Sequence, residues 1–432
     1  MSVTTLSRQV RCFLAGSADA PQLEEVLRTV DSFVLDCSSS EEYNALLHSL
    51  ENDLQEIHHD LVDHSSFDQT VTFLTVLHHL RPVLSSTSII STWFDLVLRP
   101  ALREPKLPTL AVNYAKGLII CALETSQNQE KVGGFRRQLL DLYLLDTLNE
   151  GSEDDVLEWA NLNRQQRDTR MHWKSNLEDV HVKFGLEKPT VSFAKCPSIL
   201  RDFEPLLTQD FLTGINECFS TPSSRLQLFM LMNVYTSHES FPSCAAALAE
   251  HPLMENLLRS LLLDNSSTMC TVGLTVLVKI LPIFAVHACK DLKHLLVQFL
   301  AVLIHIICWK ERPLSALKVS APPSLQFDDV PPEAEFALDQ ELREDTRPPQ
   351  IRPDIGWEKL EATFDATISS PPSPRSLFTI LYYLFPRNVL RFLREPINCM
   401  TEYRFESPYT VGWTEVLDEV NIRSKGEVSA TE

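Results

Sequence analysis

Two groups of side chains in this 432-residue sequence have the types and spacing to do chemistry. The first is rich in histidine: His58, His59, Asp60, Asp63 and His64, with His78 and His79 further along. Imidazole and carboxylate ligands suit a divalent transition metal. His59 and Asp63 lie one helical turn apart and share a face. A metal-dependent hydrolase would use such a cluster. Spacing fixes no third or fourth ligand, so the favoured reading is a polar helix end leading into a loop. The second group is Arg387, Arg391 and Arg394, at i, i+4 and i+7. That spacing gathers three positive charges on one helical face, which suits an anionic lipid headgroup or an acidic partner surface. The competing reading is a solvated face, with Glu395 and other acids paired to it.

The stretch that positions those arginines is SLFTILYYLFPRNVLRFLR, Ser376 to Arg394. Leu377, Ile380, Leu381 and Leu384 form one apolar helical stripe. Pro386 lacks the backbone N–H and clashes with the preceding turn, so the first helix ends there. At a first helical position the same proline costs nothing, so a second helix begins. Val389, Phe392 and Leu393 make its buried face, and the arginines make the opposite one.

Other chemistry is hard to find. The sequence contains no GxSxG elbow, Walker loop, GxGxxG or HExxH. The expectation is a chain that is not an enzyme and needs no cofactor. Its 11 glycines are about a third of average usage. Hairpins and phosphate loops consume glycine and helices do not, so the expected fold is all-α. The formal charge of −20 repels phosphate backbones, so nucleic acid is not an expected partner. None of the 10 cysteines forms a CxxC pair, and most sit in apolar helical surroundings. A reducing, cytoplasmic setting follows. The N-terminal run contains two arginines and no acid before Asp19. A transit peptide would look similar, but Val3, Leu6, Val10 and Phe13 fit a first amphipathic helix better.

Residues 1–150 read as an N-terminal helical array. Helices are expected from Pro21 to Asp36, Glu41 to Leu61, Phe67 to Leu80, Ile89 to Leu98, Thr109 to Glu124 and Phe135 to Leu148, with a break at Gly133-Gly134. Residues 151–200 read as a polar helical linker. Trp159, Arg164, Arg167, Arg170, Trp173 and Lys174 could make a basic, aromatic contact surface. Acids interleave them, so a solvated helix bridging two parts of the array is favoured. Residues 201–310 read as a HEAT-like core. Helix starts near 222 and 266 are about one helical-hairpin repeat apart. The apolar run Val272 to Cys289 contains Lys279 and Pro282, whereas a membrane span needs about 20 apolar residues with few charges. A core helix is expected there, and His305 is expected to be a satisfied core histidine.

Residues 311–372 carry four Pro-Pro pairs and many acids. A disordered acidic insertion is expected, with a short helix from Glu333 to Glu344. Ser370 and Ser373 beside prolines would suit a phosphorylated, partner-binding segment. Residues 373–432 read as C-terminal helices that close an α-solenoid of helical hairpins.

The stretch from Ser376 to Arg394 resembles the end of the N-terminal domain of hamartin, a subunit of the tuberous sclerosis complex. The matching positions are Leu381, Tyr382, Leu384, Phe385, Pro386, Asn388, Phe392, Leu393 and Arg394. Phe211 to His238 and His251 to Pro282 also look like segments of that family. Tyr383 replaces the family's usual glycine, and Arg387 and Arg391 are not its usual residues, so a function of those two is private to this chain. The resemblance implies a non-catalytic scaffold that stabilises a tuberin-like GTPase-activating protein for a Ras-like small GTPase, restraining TOR signalling. It implies attachment to lysosomal or vacuolar membranes through phosphoinositides, with self-association as a further expectation. Family members usually continue into a C-terminal coiled coil, and no heptad repeat follows Arg394. The alternative is a generic helical-repeat adaptor in trafficking or transport.

Overall fold

The computed structural model describes residues 3–16, 21–37, 43–63, 66–124, 129–148, 164–186, 197–309, 350–360, 372–417 and 422. Among the described residues every regular element is helical, and one isolated antiparallel bridge joins Ile351 to Tyr409. The chain forms two compact units. The first contains residues 1–217 and 238–247, and the second contains 218–237 and 248–432.

In the first unit α1 (Val3–Leu14) buries Val3, Leu6, Val10 and Leu14 against α2 (Leu23–Cys37) and α3 (Tyr43–Leu61). The N-terminal run is thus a packed helix. α2 packs on α4 (Phe67–Leu80). α5 is composite: Ser86–Ser88, a wide π-helical stretch Ile89–Leu98, then Arg99–Arg103. The Ser85 hydroxyl accepts from the Ser88 N–H and caps its start. Pro100 cannot donate to the ladder, which matches a local widening of the helix before it. α6 (Thr109–Glu124) packs on α4 and on the π stretch. Each helix meets its neighbours in sequence or the next layer, the quasi-one-dimensional arrangement of a solenoid.

α7 (Gln129–Leu148) runs straight through Gly133-Gly134, where the sequence suggests a break. Val132, Phe135 and Leu139 are buried, and Phe135 meets Phe94 edge-on with ring centroids 4.9 Å apart. That burial outweighs the helix penalty of about 1 kcal/mol per glycine. α8 (Arg164–Leu186) is likewise more than a solvated bridge: it packs on α6, α7 and the end of α5. Trp173, Leu177, Val180 and Phe184 line its buried side. Residues 187–196 and 149–163, with Trp159, lie outside the described residues. α9 (Pro197–Cys218) buries Phe211, Leu212 and Ile215.

The second unit contains α10 (Arg225–Tyr235), entered through a 3-10 turn at Pro222–Ser224. α11 (Phe241–Glu250), whose residues 241–247 belong to the first unit, is followed by α12 (Pro252–Leu263), where Pro252 follows the capping His251 imidazole, which accepts from Leu253 N–H at 3.1 Å. α13 (Ser267–His287) is long and apolar enough to cross a membrane. Here it packs on α10, α12, α14 (Cys289–Ile307) and α15 (Arg375–Leu384). Its Lys279 ammonium donates to Asn233 O and Oδ1 and to Ser237 Oγ, so the charge within the apolar run is accommodated by neutral acceptors. Burial pushes that Lys279 pKa down. Gly273 allows a close approach in this layer, since a Cβ there would run into Leu261 Cδ2.

Within α10 the Arg225 side chain is buried, against the hydrophobic pattern. Its Nη1 donates to both oxygens of buried Asp264, at 2.9 and 3.1 Å. Residues 350–360, which composition assigns to a disordered insertion, are held beside this pair by Trp357 and Leu360. Residues 310–349 and 361–371, including the expected helix from Glu333 to Glu344 and Ser370, lie outside the described residues.

Candidate functional site

The prolines of the C-terminal region build a tight helical zigzag. α15 buries Leu377, Phe378 and Leu381. α16 (Pro386–Arg394) and α17 (Pro396–Glu402) each open on a proline, and α18 (Trp413–Val416) follows. α16 buries Val389, Phe392 and Leu393, as their spacing predicts, and this fixes the helix rotation. Arg387, Arg391 and Arg394 are consequently exposed together on the other side.

The arginine face is more elaborate than its spacing reveals. Leu390 lies three residues after Arg387 and four before Arg394, so it sits among the arginines, and it is 41% exposed. Tyr383, just before α16, is 84% exposed, and Tyr382 and Tyr403 are also exposed. The Asn388 amide donates to the Tyr403 hydroxyl at 3.1 Å, which ties the end of α17 to this face. Arg391 is ion-paired and hydrogen-bonded to Glu402, and that hydrogen bond holds its pKa above the ordinary arginine value. Glu395, just past α16, accepts from the Asn398 amide at 3.0 Å.

Arg404, just after α17, is a further exposed cation that sequence inspection misses. Its N–H bonds Thr401 O, and the Phe405 N–H bonds Met400 O, the paired bonds that close a helix through a left-handed residue. Arg404 takes that position at φ 53°, where glycine is usual. No composition or spacing signal marks it. Exposed aromatic and aliphatic groups interleaved with arginines can seat at a headgroup boundary, with guanidinium groups donating to phosphate oxygens.

The other candidates fare differently. His58 is buried in α3, with its ring 5.1 Å from Phe73. Asp60 pairs with Arg11 at 3.3 Å, and the Asp63 N–H is bonded by Gln69 Oε1 at 3.0 Å. His64 lies outside the described residues. Among the described residues no group of three His, Cys, Asp or Glu side chains is placed to hold a metal. His78 stacks on Tyr114 at 4.2 Å, and burial lowers its pKa to about 4. His305 is lowered to about 4, again chiefly by burial, and meets Trp309 edge-on at 5.5 Å. Its Nε2 has no hydrogen-bond partner among the described residues. In α8, Arg164 pairs with Asp168, the expected interleaving, while Trp173 is buried beneath Arg103.

No protein-family model matches the sequence, and no curated protein matches it. Solved structures do. A structure titled "TSC1 N-terminal domain" superposes with a TM-score of 0.61 at 17% identity, over 100% of this chain and 89% of the other. The chain has the fold of the TSC1 N-terminal domain. A second structure, "Structure of TSC1 NTD and linker domain", gives 0.59 at 17% identity, covering 99% of this chain and 80% of that one. TSC1 is hamartin, so the resemblance carried by Leu381 to Arg394 extends, as fold, to the whole chain. The TSC1-like fold is an α-helical, solenoid-like fold, as expected.

Proposed function

We propose that this chain is a hamartin-like, non-catalytic scaffold subunit. It stabilises and localises a tuberin-type GTPase-activating protein that acts on a Ras-like small GTPase, and so restrains TOR signalling. The observation that carries this reading is the fold match to the TSC1 N-terminal domain over the full length of the chain. The motif resemblance at Leu381 to Arg394 supports it independently, because it rests on residue identities.

In this reading the protein works in the cytoplasm, peripherally attached to a lysosomal or vacuolar membrane. The face of Arg387, Arg391 and Arg394 supports that attachment. Against a chain of net charge −20, only a locally basic surface can approach anionic lipid. Each basic residue near such a surface contributes about 1 kcal/mol. Exposed Leu390 and Tyr383 add apolar area at the headgroup boundary.

Affinity capture of the tagged chain from its native cell extract, followed by mass spectrometry, tests the scaffold role. Recovery of a tuberin-type protein is the expected result. Consistent recovery of trafficking components without it would replace this reading with the generic adaptor. Vesicle flotation tests the attachment. Phosphoinositide-containing vesicles should carry the chain, and the triple change of Arg387, Arg391 and Arg394 to Ala should abolish flotation. Unchanged flotation removes the arginines from the site.

A further inference from the structure

The groups around Arg225 and Asp264 have the properties of a peptide-recognition site. Asp264, just past α12, accepts hydrogen bonds from Arg225, from Ser260 Oγ at 2.6 Å, from Trp357 Nε1 at 3.1 Å and from Leu360 N–H at 2.8 Å. The Asn265 N–H donates to Leu360 O at 3.2 Å. Arg225 Nη1 donates to Glu358 O at 2.7 Å. Three of these bonds read main-chain groups of the 357–360 strap, and one reads a side chain. That side chain is a tryptophan, with its ring centroid 3.9 Å from the Arg225 Cζ and 5.8 Å from the Arg259 Cζ. Main-chain bonds plus one aromatic slot are how extended peptides are recognised.

Burial separates the site from its occupant. Arg225 and Asp264 are fully buried, whereas Gly356 and Glu358 are exposed and Trp357 and Leu360 are half-buried. The pair also remains satisfied if the strap leaves. Asp264 keeps Arg225 and Ser260, and Arg225 Nε keeps Phe219 O at 3.0 Å. Departure therefore strands no unpaired buried charge, the penalty that normally locks such a contact. The strap is fastened separately at its other end. Ile351 bridges Tyr409, Arg352 N–H bonds Pro408 O, and Arg352 pairs with Glu406 at 2.9 Å. Between the two attachments Gly356 sits at φ 60°, a conformation open to glycine, and can serve as the swivel.

We propose that the end of α12 is a recognition site for an extended, tryptophan-bearing peptide. The chain's own Trp357–Leu360 segment occupies it in cis, and a partner protein's segment of the same chemistry can displace it. The motif it reads is Trp-x-x followed by any residue except proline, because the fourth position must donate its N–H to Asp264. This site is separate from the arginine face, and its peptide recognition does not depend on membrane binding.

A fluorescent peptide with the sequence of Pro353 to Leu360 tests it by anisotropy. The full chain carrying Trp357→Ala should bind the peptide saturably. Wild type should bind it far more weakly, since its tethered strap competes at an effective concentration of about millimolar. Replacing the peptide's tryptophan by alanine, or methylating its leucine nitrogen, should abolish binding. If the folded Trp357→Ala chain ignores the peptide, or the methylated peptide binds equally well, the proposal is wrong. Native-state hydrogen exchange on the wild type tests it without any substitution. The Leu360 amide should exchange through a local opening with little denaturant dependence, while amides of α12 need global unfolding. Exchange of both with the same free energy would make the strap integral core and overturn the proposal.

Discussion

Arg391 on α16 forms an ion pair with Glu402 at the end of α17, on the face that also presents Arg387 and Arg394. One of three clustered cations is thus partly offset by a neighbouring acid, and the field of the face is weaker than its arginine count implies. Changing Glu402 to Gln removes the acid and retains the shape. Binding to anionic vesicles should tighten, and the gain should shrink as salt rises. Both partners are half-exposed, so the urea midpoint should barely move. Flotation across a salt series, alongside urea titration, checks both statements. Weaker binding by this variant would mean that Glu402 orients Arg391 rather than neutralising it.

Arg404 occupies a left-handed position that favours glycine. For a residue with a Cβ that conformation costs roughly 1 kcal/mol. Arg404→Gly should therefore raise stability by about that amount, read as a higher urea midpoint with unchanged slope. If the cation contributes to the face, the same variant should float less well with anionic vesicles. A gain in stability coupled to a loss of binding would identify strain kept for function. A gain in stability alone would leave Arg404 outside the site.

Two glycines in helices should respond in opposite directions. At Gly133 an added Cβ meets nothing within 4 Å, so Gly133→Ala should stabilise by about 1 kcal/mol through helix propensity. At Gly273 the Cβ would run into Leu261 Cδ2 and fall 3.0 Å from Phe229 Cε1. Leu261 and Phe229 are fully buried, so either can yield only by displacing its own neighbours. Gly273→Ala should cost roughly 1–3 kcal/mol from overpacking, more than propensity returns. Urea midpoints of the two variants measured together check the contrast.

Gly133 also marks a place where local pattern and tertiary packing disagree. Phe67–Leu80 and Thr109–Glu124 follow directly from apolar periodicity and proline punctuation, because local pattern and packing agree there. Gly133-Gly134 reads as a break, yet the helix continues because Phe135 and Leu139 are buried by other helices. α8 reads as polar because its charges are numerous, although Trp173, Leu177, Val180 and Phe184 trace a helical stripe through them. The arginine face is legible from i, i+4, i+7 spacing. Its pairing with Glu402 and the Asn388–Tyr403 contact are not, since they depend on how α17 folds back on α16. The Arg225–Asp264–Trp357 cluster joins residues far apart in sequence, and nothing local announces it.

His181 makes stability depend on pH. It is buried in α8, its ring lies 6.0 Å from that of Tyr143, and its Nε2 has no hydrogen-bond partner among the described residues. Burial lowers its pKa to about 4, from an ordinary value of 6.5, with a backbone hydrogen bond at Leu139 opposing the shift. The folded state therefore binds the proton more weakly than the unfolded state. The stabilisation is fully present above the unfolded value of 6.5 and is lost as pH falls from there toward about 4. Within that window this group contributes a slope of up to about 1.4 kcal/mol per pH unit. His305, lowered to about 4 mainly by burial, adds a second contribution of the same sign. His181→Phe keeps a ring of similar shape and removes the titration. Its stability at neutral pH should fall because the Leu139 bond is lost, but its decline between about pH 6.5 and about pH 4 should be shallower than that of wild type. Urea denaturation of both proteins across this range measures the two slopes, and parallel curves would show that His181 does not drive the acid sensitivity.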